Sequence, residues 1–128
     1  MIVIIIKLRA LLMNSNFILL NNTYKTIDYV NNLLINFPKK NTVLKNYIES
    51  NLYKLIENLF AYNINDTNRI REKYLKEYLI CLSMLNFLIH EAFLKKCISY
   101  KQGECVGNYF NNLKKIALSL MKGLNVHE

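Results

Sequence analysis

Three glycines and one proline in 128 residues leave little material for tight turns. Folds built of many short strands need both residues at their reversals, and phosphate-cradling loops need several glycines in a short span. Both classes are excluded, and a few long helices fit the scarcity of breakers. Three cysteines, Cys81, Cys97 and Cys105, form an odd set without CxxC spacing. That rules out a disulfide framework and a zinc knuckle. Cys81 falls at an apolar helix position and reads as a small core residue. Reduced thiols in a cytoplasmic setting are the simplest account, and the sequons at Asn21 and Asn65 are then chance. Arginine is also scarce: only Arg9, Arg69 and Arg71 stand among 17 basic residues.

What is present is globular. Hydrophobic residues make up 52% and charged residues 20%, so the chain can bury a core without a covalent or metal staple. The net charge is +8. Such an excess draws polyanions through counterion release, which makes nucleic acid a natural partner. The abundance of Asn, Lys, Ile and Tyr also matches an AT-rich coding sequence, and a solvated lysine surface is the plain alternative.

Residues 1–20 form an apolar extension, and residues 21–128 form the main domain. A membrane span needs about 20 uninterrupted apolar residues. Lys7, Arg9, Asn14 and Asn16 break this run, and its positive charges follow the apolar stretch, unlike those of a secretory signal. Two readings stand: an extra element packed on the domain, or an upstream extension with Met13 as the true start, which is preferred.

Four helical patterns follow. Tyr24, Ile27, Val30 and Leu34 form a stripe over residues 23–36, ended by Phe37-Pro38. Leu44, Ile48, Leu52, Leu55 and Leu59, widened by Ile56 and Phe60, mark a second helix over residues 38–62. Asp66 or Asn65 is expected to cap the third, over residues 67–97, where Ile70, Tyr74, Cys81, Leu85, Leu88 and Ala92 share a face. Leu75, Leu79, Leu82, Ile89 and Phe93 lie beside that face, and so wide an apolar surface should meet two neighbours, or a neighbour and another subunit. Ser99 and Gln102 have capping-box spacing for a fourth helix carrying Val106, Tyr109, Phe110, Leu113, Ile116, Ala117, Leu120 and Leu124. Short connections make these helices an all-α, antiparallel up-down four-helix bundle.

The sequence offers no catalytic or metal site. His90 and Glu91 adjoin, but no third ligand stands at helical spacing. His127 lies in the tail. Glu49 and Glu57 lack the Glu-x-x-His partners of a di-iron bundle. Cys97 and Cys105 have no definable His beside them. Nine tyrosines suit either base stacking or core and interface packing. The candidate nucleic-acid contacts are lysines. Lys39, Lys40 and Lys45 start the second helix, Lys95, Lys96 and Lys101 flank the last turn, and Lys114, Lys115 and Lys122 lie on the fourth helix. The first two groups are expected at opposite ends of the bundle, with the charge spread between them.

Several stretches resemble the four-helix-bundle accessory variability determinants (Avd) of diversity-generating retroelements. They are Tyr24-Lys25-Thr26-Ile27-Asp28-Tyr29-Val30, Asn36-Phe37-Pro38-Lys39-Lys40, Ile48-Glu49, Leu55-Ile56-Glu57, Leu82 to Leu88, Ile98 to Gln102, Lys114 to Ala117 and Met121 to Leu124. The Phe-Pro-Lys-Lys step is the most specific. The resemblance implies a non-enzymatic homopentamer with a basic surface. It also implies binding to a reverse transcriptase and its structured template RNA, in support of mutagenic complementary-DNA synthesis. It implies no cofactor, membrane or small-molecule substrate. Related bundles encoded in intervening sequences of 23S ribosomal RNA genes are the neighbouring group, and imply an oligomeric interaction module without nucleic-acid binding.

Overall fold

The computed structural model describes residues 15–124. Four α-helices follow one another: α1 (Ser15–Leu34), α2 (Thr42–Ile64), α3 (Asn68–Leu94) and α4 (Tyr100–Gly123), with a 3-10 turn at Lys39–Asn41 before α2. Each helix packs on the next, and α1 also packs on α4, which closes an up-down bundle. The expected all-α architecture is therefore the observed one. The second start at Met13 and the tail residue His127 lie outside the described residues.

The core is built from the inward stripes. Val30 and Leu34 of α1, Ile48, Leu52, Leu55 and Leu59 of α2, Leu75, Leu82 and Leu85 of α3, and Val106, Phe110, Leu113 and Ala117 of α4 are buried. Three details depart from the sequence expectation. Helix α1 already includes Ser15, and Leu19 and Leu20 are buried in the bundle. Tyr24 is 44% exposed, and Thr23 and Thr26 occupy the core face in its place. Phe60 and Ile70 also point outward. The polar threonines hid the continuity of the stripe, because their hydroxyls are satisfied inside the helix. Thr23 Oγ1 donates to the Leu19 carbonyl at 2.7 Å, and Thr26 Oγ1 to that of Asn22 at 2.8 Å.

Thr23 has a second role. Its hydroxyl lies 2.7 Å from the Tyr78 hydroxyl, across the diagonal of the bundle. Thr23 has one proton and gives it to a carbonyl, which can only accept. Tyr78 is therefore the donor in the second bond. Tyr78 is completely buried, and burial holds its phenol neutral well above the usual tyrosine range, against the smaller pull of a Thr23 hydroxyl that would turn to donate to the phenolate.

Helix α3 is the longest, and among the described residues it is the one long and apolar enough to cross a membrane by length and composition alone. Its apolar content divides between two faces. Leu75, Tyr78, Cys81, Leu82, Leu85, Leu88, Ile89 and Ala92 are buried against α2 and α4. Ile80, Met84, Phe87 and Leu94 stay exposed on the outside. Their steps of four, three and seven residues place them on one stripe.

The ends are held by local chemistry. Ser99 Oγ accepts from Gln102 N–H at 3.1 Å, and Gln102 Oε1 from Ser99 N–H at 2.9 Å, the expected capping box of α4. The expected caps of α3 do not form. Thr67 holds the N-cap position without a side-chain bond, and Asn65 turns back to donate to the Ala61 carbonyl of α2 at 2.6 Å. At the same end, Asn68 Nδ2 donates to the Leu124 carbonyl at 3.1 Å and ties the start of α3 to the end of α4.

Candidate nucleic-acid interface

Two chain reversals build the end opposite to Asn68. The first follows α1. Pro38 cannot continue a helix, and its carbonyl accepts from Asn41 N–H at 2.9 Å. Thr42 Oγ1 donates to the Lys39 carbonyl at 2.6 Å. These bonds wind the 3-10 turn and leave Lys39 and Lys40 exposed on its outside.

The second reversal follows α3. Lys96 N–H donates to the Phe93 carbonyl at 3.0 Å, and Cys97 N–H to that of Ala92 at 2.8 Å. This pair of bonds is a Schellman motif, which requires a left-handed residue just past the helix. Lys96 fills that position with φ 63°, although glycine usually does. Lys95, Lys96 and Lys101 are all exposed around this turn.

The two reversals lie at the same end of the bundle, which corrects the sequence expectation of opposite ends. Helix α2 runs away from that end and α3 runs back to it, so the start of one adjoins the finish of the other. Lys40 and Lys95 accordingly line one groove, together with Val43, Tyr47 and Phe87. Both lysines also act on Cys97: burial pushes its thiol up, against the opposing pull of Lys40 and Lys95.

Charge is consequently uneven along the bundle. Residues 35–45 and 91–101 hold six lysines and one acid, Glu91, a net of +5. At the other end, residues 61–72 and 118–124 hold Arg69, Arg71 and Lys122 against Asp66 and Glu72, a net of +1. Among the described residues the one ion pair is Lys76 with Glu72 at 2.9 Å, so no lysine of the basic pole is in a direct ion pair, and Glu91 is the one acid beside Lys40 and Lys95 in their groove. Lys39 and Lys40 also precede the N-terminus of α2, where the helix dipole is positive and a cation is disfavoured.

The remaining candidates divide. Lys45 lies one turn into α2, on the side facing the end of α1, beside Asn31 and Glu49. Lys114, Lys115 and Lys122 are exposed along α4 but away from the pole; Lys114 stands about 20 Å below the first turn at 1.5 Å per residue. Of the arginines described, Arg71 is already engaged. Its Nε donates to the Tyr62 carbonyl at 3.3 Å and its guanidinium stacks 4.2 Å above the Tyr62 ring.

Among the described residues, no three His, Cys, Asp or Glu side chains converge in a way that could hold a metal ion. His90 is exposed and meets the Phe93 ring at 6.5 Å between centroids. Cys105 is engaged with Tyr29, whose phenol is pushed up to about 12, first by a hydrogen bond with that thiol and then by burial. Sequence reasoning found each pole lysine but not their convergence; the signal was available in the parity of antiparallel helices. No protein family, curated protein or solved structure matches this chain.

Proposed function

We propose that this chain is a non-enzymatic RNA-binding accessory protein whose basic pole takes the phosphate backbone of a structured RNA. The retroelement accessory determinants that the sequence resembles supply the finer reading. In it the chain works in the cytoplasm as a homopentamer, holds template RNA for a reverse transcriptase, and supports mutagenic complementary-DNA synthesis. The carrying observation is the gathering of Lys39, Lys40, Lys95, Lys96 and Lys101 at one end, unpaired and partly set against a helix dipole. Stability alone does not favour Lys39, Lys40 and Lys101 at helix starts, whereas phosphate contact favours all five.

Retention of a labelled structured RNA, measured between about 50 and 200 mM salt, tests this reading. Five contacts give a slope of roughly −4 in log K against log salt. Replacing Lys39, Lys40, Lys95 and Lys96 by Gln should remove most of that slope, and replacing Lys114, Lys115 and Lys122 should remove less. Absence of RNA retention at the lowest salt refutes the proposal.

A second reading is favoured by the exposed stripe of Ile80, Met84, Phe87 and Leu94. On it the chain is an oligomeric interaction module, like the bundles encoded within 23S ribosomal RNA genes, and α3 is the subunit contact. A monomer by light scattering at micromolar concentration refutes this second reading and the pentamer together.

A further inference from the structure

Beside the basic pole, a groove of about 250 Å³ separates the last turns of α3 from the first turns of α4. His90 and Phe93 form one wall, and Tyr100, Gly103, Glu104 and Gly107 form the other. Three rings follow one another along it. His90 and Phe93 are tilted at 6.5 Å between centroids, and Phe93 meets Tyr100 edge to face at 6.0 Å. Tyr100 nevertheless keeps 70% of its surface exposed. An aromatic ring so open, on the first turn of a capped helix, is not there to fill a core.

The floor is made by omission. Gly103 and Gly107 stand four residues apart on one face of α4. A Cβ at Gly107 would meet nothing within 4 Å, and one at Gly103 would meet only Ile98 Cδ1 at 3.6 Å. Packing therefore does not demand glycine at either position. Each glycine weakens the helix relative to alanine, and side chains there would narrow the groove. Phe93 is shared with an adjoining depression whose rim carries Lys96, Ser99 and Gln102. The groove thus passes from stacked rings to a lysine at the positive end of α4.

We propose that this groove takes one unpaired base of a single nucleic-acid strand, stacked on the exposed Tyr100 ring beside Phe93, with its flanking phosphates on Lys96 and Lys101. Rings without lysines would suit an apolar side chain, and lysines without rings would suit any polyanion. The two side by side match a nucleotide. Glu104 repels phosphate from the groove itself and leaves an acceptor for a base amino group. The inference rests on the RNA-binding reading above and adds to it a preference for unpaired strands.

The test uses the full chain and three probes of equal length: a single-stranded RNA and a single-stranded DNA, each with one 2-aminopurine, and a blunt RNA duplex. Stacking should quench the 2-aminopurine on binding to either strand. Gly107→Leu fills the groove, and Tyr100→Ala removes the platform at an exposed position. Each should weaken single-strand binding about 5- to 150-fold and abolish the quench, while duplex binding and its salt slope stay unchanged. Thermal melts confirm that both variants are folded. If wild type binds strand and duplex alike and neither variant changes this, the groove inference falls and the RNA-binding reading stands. If wild type binds none of the probes, both fall.

Discussion

Lys96 carries two opposed demands, which makes its replacement informative. The Schellman turn after α3 holds it at φ 63°. A residue with a Cβ in that conformation costs about 1–2 kcal/mol relative to the right-handed region. Glycine removes the cost but makes the unfolded chain more flexible, which returns about 0.5–1 kcal/mol. The net expectation for Lys96→Gly is a gain of about 0.5–1 kcal/mol. A lysine just past a helix C-terminus also gains about 0.3–1 kcal/mol from the dipole at low ionic strength, and removing it hides part of the benefit. Two measures separate these effects. Urea unfolding in about 1 M salt, where the Debye length falls to about 3 Å, suppresses the charge contribution. A parallel Lys96→Ala variant loses the same charge and keeps the backbone strain. Glycine should exceed alanine by about 0.5–1 kcal/mol at unchanged m, a few degrees in Tm. Both variants should lose about 0.7–0.9 from the salt slope of RNA binding, one phosphate contact's worth. Equal stability of the two variants refutes the left-handed turn. A stabilised glycine variant with undiminished RNA binding refutes the role of Lys96 in the pole.

Three further outcomes follow from the same geometry. Thr23→Val leaves the Tyr78 hydroxyl as a buried donor without a partner, at a cost of about 1–3 kcal/mol. In a denaturation cycle with Tyr78→Phe, the double variant should lose clearly less than the sum of the singles; simple additivity refutes the bond. Lys40→Gln removes a cation from the start of α2 and its repulsion from Lys95 without setting a second carboxylate beside Glu91. It should stabilise the fold by about 0.3–1 kcal/mol at low salt while weakening RNA retention, and a destabilised variant contradicts the charge reading of the pole. Tyr29, Tyr62 and Tyr78 all have phenols raised above the usual tyrosine value of 10.0. Above that value the unfolded chain releases these protons before the folded one, so stability is full below about pH 10 and falls as pH rises toward 12 and beyond. Tyr29→Phe should flatten the part of that fall between pH 10 and about 12, and an unchanged profile refutes the assignment.

The helix pattern was legible because α2, α3 and α4 carry their apolar residues at helical spacing with few polar intrusions. The capping box of α4 was legible because both members lie within four residues of chain. Helix α1 was harder to read. Thr23 and Thr26 are polar in type but sit on the buried face, since their hydroxyls bond to carbonyls one turn back. The apolar run of residues 1–20 reads as a separate extension, and that sets the expected start at residue 23. Tyr24, Phe60 and Ile70 were drawn inward by periodicity alone, which does not fix where the edge of a stripe meets water. The left-handed Lys96 gave no sequence signal, because the residue type argues against the conformation. The basic pole lay in the order of the elements: two antiparallel passes return the chain to the end it left, and that count places Lys40 near Lys95. The groove floor was invisible, since two helical glycines show their purpose only when the space above them is seen to be empty.

Helices joined only by smooth apolar stripes can slip lengthwise by one turn, about 5.4 Å, and still bury much of the same surface. The bond between Thr23 and Tyr78 is 2.7 Å long and lies among buried, mostly apolar side chains. It therefore works as an alignment mark between α1 and α3, which occupy opposite corners of the bundle. A lineage can erase the mark without penalty only by changing both residues together. Sequences of this fold should accordingly keep the pair, or replace it jointly with two apolar side chains of similar shape.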